Sequence, residues 1–116
     1  MIMKIKTKDL IGAALDWAVT KCLPNTGLSA THYWITTSDG DDDFLIPKYS
    51  TDWVLGGPVI EHEGIQLHVD ELRTEWLGSC WGYPNCQYGP TPLVAAMRCF
   101  VAHKLGDEIE IPEELC

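Results

Sequence analysis

The chain has 116 residues, 46% of them hydrophobic, and a formal net charge of −9 at pH 7. That length suits one domain with its own core and leaves no room for two. The charge disfavours sequence-independent nucleic-acid binding, because a negative field repels phosphate backbones. The lack of any window of about 18 apolar residues excludes a helical membrane span.

At the N-terminus, Lys4 and Lys6 alternate with Met3 and Ile5, which predicts a short strand over residues 2–6, blunted as an edge by its lysines. No apolar run follows those lysines, so the segment does not read as a secretory signal and a cytosolic chain is expected. Thr7 is a good helix N-cap. Leu10, Ile11, Ala14, Leu15, Ala18 and Cys22 then recur at helical spacing, predicting a helix over residues 8–22 that stops before Pro24. Trp17 lies toward the edge of that stripe. Residues 24–31 read as loop.

The aromatic and β-branched run at 32–37 predicts a strand. Residues 38–43 read as an acidic turn, and Phe44, Leu45 and Ile46 as a short strand ended by Pro47. Residues 49–58 follow no regular pattern. They could hold one helical turn capped by Ser50 or Thr51 and stopped at Gly56. Residues 59–62 and 65–69 alternate on either side of Glu63 and Gly64, as a hairpin or as one long strand with a glycine kink. Residues 75–81 are another strand candidate. Thr91 then caps a second helix with Pro92 at its first position and Gly106 just past its end. Its buried stripe is Leu93, Val94, Met97, Val101 and Leu105. Ile109 and Ile111 mark a last short strand. The expected class is α+β: a small antiparallel or mixed sheet of short strands packed with two main helices.

The five cysteines, Cys22, Cys80, Cys86, Cys99 and Cys116, read as thiols rather than a disulfide framework, with Cys22 and Cys99 in the core. Their spacing does not match structural zinc. His62 and His68 would share a face only on one continuous strand, where two exposed histidines outweigh a metal site. The run Asp39, Asp41, Asp42, Asp43 lacks the glycine and glutamate of a calcium loop and reads as a solvated loop. No nucleophile motif surrounds Cys80 or Cys86. No catalytic residue, metal or cofactor is therefore assigned.

A ligand pocket is the stronger expectation. Tyr49, Asp52, Trp53, Trp76, Trp81, Tyr83 and Tyr88 concentrate aromatic and polar groups in irregular segments, where rings stack and polar groups orient a ligand. Gly56 and Gly57 let backbone approach closely. Thr91 opens a helix whose N–H groups could hold an anion, and Arg98, further along it, could pair with a phosphate or carboxylate. The candidate ligand-binding residues are Tyr49, Ser50, Thr51, Asp52, Trp53, Gly56, Gly57, Thr91 and Arg98. The competing reading is that the aromatic residues simply fill the core.

Six separated segments carry a family resemblance. They are Lys4-Ile5-Lys6-Thr7 followed by Ala14-Leu15-Asp16-Trp17-Ala18-Val19; Tyr49-Ser50-Thr51-Asp52-Trp53 with Gly56-Gly57-Pro58; Gly89-Pro90-Thr91-Pro92-Leu93; and Lys104-Leu105-Gly106-Asp107-Glu108. In this order they resemble the NinX-like proteins of lambdoid phages and prophages, a family without an assigned function. The resemblance implies a phage or prophage origin and expression in the host cytoplasm, and it supplies no catalytic residues. By analogy with small phage accessory proteins, it favours a non-enzymatic binder of a small nucleotide-like ligand that sequesters a host immune signal. The alternatives are an acidic interaction module that inhibits a host protein and a small nucleotide hydrolase. A homo-oligomer that completes its site across a two-fold axis is also compatible with a chain of this size.

Overall fold

Alternating side chains in β1 (Ile2–Lys6) pair antiparallel with β8 (Glu108–Pro112), setting Lys4 opposite Glu110 and Lys6 opposite Glu108. Opposite charges across a strand pair support the register. The structure, a computed structural model, describes residues 1–24, 26–80 and 87–116. Trp81, Tyr83 and Cys86 therefore lie outside the described residues.

Among the described residues the fold is α+β, with three helices and eight strands in three small antiparallel sheets. One sheet is the β1–β8 pair. The second is β2 (Thr26–Leu28), β3 (His32–Thr37) and β4 (Gly40–Leu45), and the third is β5 (Ile65–Val69), β6 (Trp76–Cys80) and β7 (Gln87–Gly89). No described helix is long and apolar enough to cross a membrane.

At the centre runs α3 (Pro92–Leu105), capped by Thr91 as its sequence predicts. Its burial is wider than a single stripe, because Ala95, Ala96, Cys99 and Phe100 are buried along with Leu93, Met97 and Val101. A helix buried on most sides needs partners all round. They are α1, α2, the β5–β6–β7 sheet and β8.

The first predicted helix is shorter than its apolar spacing suggests. A 3-10 turn at Thr7–Asp9 precedes α1 (Gly12–Lys21), and Gly12 adopts φ +57°. Thr7 does not cap it. The Thr7 hydroxyl donates to the Gly106 carbonyl at 2.6 Å and ties the start of the chain to the end of α3. Trp17 is buried and donates its indole N–H to the Ser29 carbonyl.

Two further expectations are corrected. Residues 53–63 are not a single turn followed by a strand but the helix α2 (Trp53–Glu63). The Gly56-Gly57-Pro58 run looks like a breaker. However, Gly57 has no Cβ to strike the Pro58 ring, so the chain stays helical through the proline. Asp52 caps its start, and Gly64 at φ 64° closes its end. His62 consequently sits in the last turn of a helix and His68 in β5, so the two share no strand. The acidic residues Asp41, Asp42 and Asp43 lie in β4, paired with Thr36, Ile35 and Trp34, and only Ser38 and Asp39 make the turn. Pairing with β3 overrides their low strand propensity.

Asp16 is a buried carboxylate on α1, 6% exposed, and its Oδ1 accepts the Ser50 N–H at 2.8 Å. Burial raises its pKa above 3.8, against the Ser50 hydroxyl and amide and Lys48, which lower it. Between 3.8 and that raised value the folded chain holds more protons than the unfolded one. This residue's contribution to stability therefore falls as pH rises through the window. Asp16→Asn keeps the acceptor and removes the charge. Its stability relative to the native chain is expected to improve from pH 3.5 upward and level off above the raised pKa, as read by urea denaturation at each pH. Asp16→Ala leaves the Ser50 amide without its acceptor and is expected to lose about 2 kcal/mol.

Candidate functional site

A cleft of about 390 Å³ opens where all three helices begin. One wall is Ile11 and Gly12 at the start of α1, a second is Ser50, Thr51 and Trp53 at the start of α2, and the third is residues 90–94 entering α3. The lining is mostly apolar. Ser50 is buried on its inner side, while Thr51 is exposed and Trp53 is 54% exposed. That exposure leaves an aromatic surface at the rim on which a planar ring could stack.

The three helix starts differ in how their first N–H groups are satisfied. Asp52 Oδ1 accepts from the Val54 N–H at 2.9 Å, and Thr91 Oγ1 accepts from the Val94 N–H at 3.1 Å. At α1 the N-cap position is Ile11, which offers no side-chain acceptor. A helix start carries partial positive charge and free N–H donors, so the α1 start is the end of the cleft best suited to an anionic oxygen. Asp52 places a carboxylate at the α2 start and disfavours an anion there.

Of the sequence candidates, Ser50, Thr51, Trp53 and Thr91 line this cleft, and Asp52 caps the helix that carries one wall. Tyr49 lies elsewhere. It lines a second cleft, of about 470 Å³, with Cys22, Leu55, His62, Phe100 and Lys104. Burial raises the Tyr49 pKa, with Tyr33 and Asp16 adding to it. Burial likewise pushes the Cys22 thiol up to about 12, and its Sγ donates to the Ala18 carbonyl. That cysteine is a protonated core group rather than a nucleophile. Gly56 is a packing residue, because a Cβ there would stand 2.6 Å from Leu93 Cδ2 and from the Tyr49 carbonyl oxygen. Gly57 has open space around it.

Arg98 does not line the cleft. Its Nε donates to the Leu10 carbonyl at 2.8 Å and its Nη1 to the Tyr88 carbonyl at 2.7 Å. Leu10 immediately precedes the Ile11 wall, and Tyr88 stands two residues before Pro90. Arg98 thus clamps two walls together from behind. Burial lowers its pKa, while Asp9 and Glu75 favour the charged form.

Sequence reading missed Ile11 and Gly12 as lining residues and Asp16 as the anchor of the Ser50 turn. A glycine inside an apolar run and an aspartate among buried helical residues were the available signals. Among the described residues, no three His, Cys, Asp or Glu side chains gather as metal ligands.

Set against known proteins, the chain matches the profile of the family described as "Bacteriophage P22, NinX" over residues 6–104. No curated protein matches it.

Proposed function

The chain belongs to the NinX family of bacteriophage P22 and is a phage accessory protein, and on that footing we propose that it binds a small nucleotide-like ligand without turning it over. The observation that carries this reading is the cleft at the three helix starts, with the Trp53 indole at its rim and the uncapped start of α1 within it. The base stacks on Trp53, and a phosphate oxygen takes the N–H groups at Gly12 and the residues after it. In the host cytoplasm, such binding would withdraw a nucleotide immune signal from its receptor. A homo-oligomer could enclose the open side of the cleft.

Calorimetry against a panel of cyclic dinucleotides and cyclic ADP-ribose isomers tests the reading. One member should bind, Trp53→Ala should weaken it by about 1–3 kcal/mol, and Tyr49→Phe, in the other cleft, should leave it unchanged. The nucleotide should be recovered intact, whereas turnover would favour a hydrolase. Failure of the whole panel to bind sinks the proposal.

A second reading rests on β4, an exposed edge strand that carries Asp41, Asp42 and Asp43 beside exposed Phe44 and Leu45. It suits an interaction module for a basic host protein, whose capture should weaken steeply with salt. Retention of a captured partner after Asp41, Asp42 and Asp43 are all replaced by asparagine would remove the basis for it.

A further inference from the structure

We propose that Cys80 and Cys99 are a dithiol site that closes to a reversible disulfide on reaction with a small-molecule disulfide. Cys80 ends β6 and Cys99 lies in the middle of α3, 19 residues on, with their sulfur atoms 2.9 Å apart. Both side chains are buried, at 6% and 0% exposed. The contact follows from how closely the sheet lies on the helix. Gly78, on the same face of β6, would place a Cβ 2.8 Å from the Ala95 carbonyl oxygen and 3.3 Å from Cys99 Cβ. With no side chain at Gly78, the strand sits directly on α3, and the next inward residue meets Cys99. A disulfide requires sulfur atoms about 2.05 Å apart, so the pair needs a closing shift of under 1 Å rather than a rearrangement.

The chemistry balances as two successive exchanges. The Cys80 sulfur, as thiolate, attacks one sulfur of the reagent R–S–S–R. It forms Cys80–S–S–R and expels RS⁻, which takes up the proton that Cys80 lost. The Cys99 sulfur then attacks Cys80 Sγ and expels the second RS⁻, which takes the Cys99 proton. Two thiols are oxidised by two electrons in all, and the reagent is reduced to two RSH. Burial raises the pKa of Cys80 and disfavours its thiolate, so the first exchange is slow and waits on local opening at the end of β6. The bond links β6 to α3 and closes a loop that includes β7 and the residues 90–94 wall of the cleft. It constrains that wall whether or not the cleft holds a nucleotide.

The test exposes fully reduced native protein to glutathione disulfide, traps the remaining thiols in denaturant with an alkylating agent, and maps the peptides. The expected product lacks two hydrogens, contains a Cys80–Cys99 cross-linked peptide, reverts with dithiothreitol and melts at a higher temperature than the reduced form. Cys99→Ala and Cys80→Ala should each abolish it, and the native map decides the matter if either variant fails to fold. The same reaction in urea should give mixed pairings. Recovery of both cysteines alkylated from the native protein, or of Cys80 joined to another cysteine, would overturn the proposal.

Discussion

Arg98→Ala is expected to destabilise the chain by about 3 kcal/mol and to weaken binding at the cleft, although the side chain never reaches it. Hydrogen bonds from a charged donor contribute about 1.5–3 kcal/mol each. Arg98 is only part-buried, which places its two bonds at the lower end of that range. Truncation removes the donors from the Leu10 and Tyr88 carbonyls together. The Ile11–Gly12 wall and the Pro90–Thr91 wall then lose the side chain that holds them together. Lysine keeps the charge but not the planar fork, so it can serve one carbonyl well and not both. Arg98→Lys should therefore lie between alanine and the native chain. Urea denaturation measures the stability, and hydrogen exchange at the first amides of α1 and α3 measures the loosening. Faster exchange at both helix starts, with the C-terminal half of α3 unchanged, marks the clamp. A loss below 0.5 kcal/mol would show that Arg98 is not one.

Arg98 also marks where sequence reading succeeded and where it stopped. The helix that carries it was legible from Thr91, Pro92, the apolar spacing and Gly106, because each signal is local and all agree. β3 and β5 were legible for the same reason. The direction of a guanidinium was not, because it depends on two carbonyls 88 and 10 residues away. The α2 helix was hidden by local signals that point the wrong way. Gly56, Gly57 and Pro58 all disfavour helix, yet Gly56 is required for the approach of Leu93 and of the Tyr49 carbonyl, and the Asp52 cap and the αL Gly64 fix both ends. The cleft was half legible. Ser50, Thr51, Trp53 and Thr91 could be picked out because polar and aromatic residues in irregular segments suggest binding. Ile11 and Gly12 were missed despite the glycine, since their apolar spacing continues into a helix that begins later than the pattern implies.

Gly89→Ala is expected to destabilise the chain by about 3 kcal/mol or more, with Gly78→Ala close behind. At Gly89 an added Cβ would lie 2.6 Å from the Ala95 amide nitrogen and 3.0 Å from its Cα. At Gly78 it would lie 2.8 Å from the Ala95 carbonyl oxygen. These are backbone atoms of a helix packed on most of its sides, so no rotamer change relieves the clash. The β5–β6–β7 sheet must lift off α3, and the packing lost around Met97, Cys99 and Phe100 adds to the strain. Ser79→Ala, on the opposite face of β6, meets no such wall and should stay within about 0.5 kcal/mol of the native chain. Denaturant midpoints at constant m-value separate these cases. The two glycine variants then divide over the cysteine pair. Gly78 sets the height of β6 above Cys99, so in molecules that remain folded Gly78→Ala should slow closure of the Cys80–Cys99 bond more than Gly89→Ala does. Equal slowing by both would mean that the sheet lifts as one rigid unit, with no independent adjustment at β6.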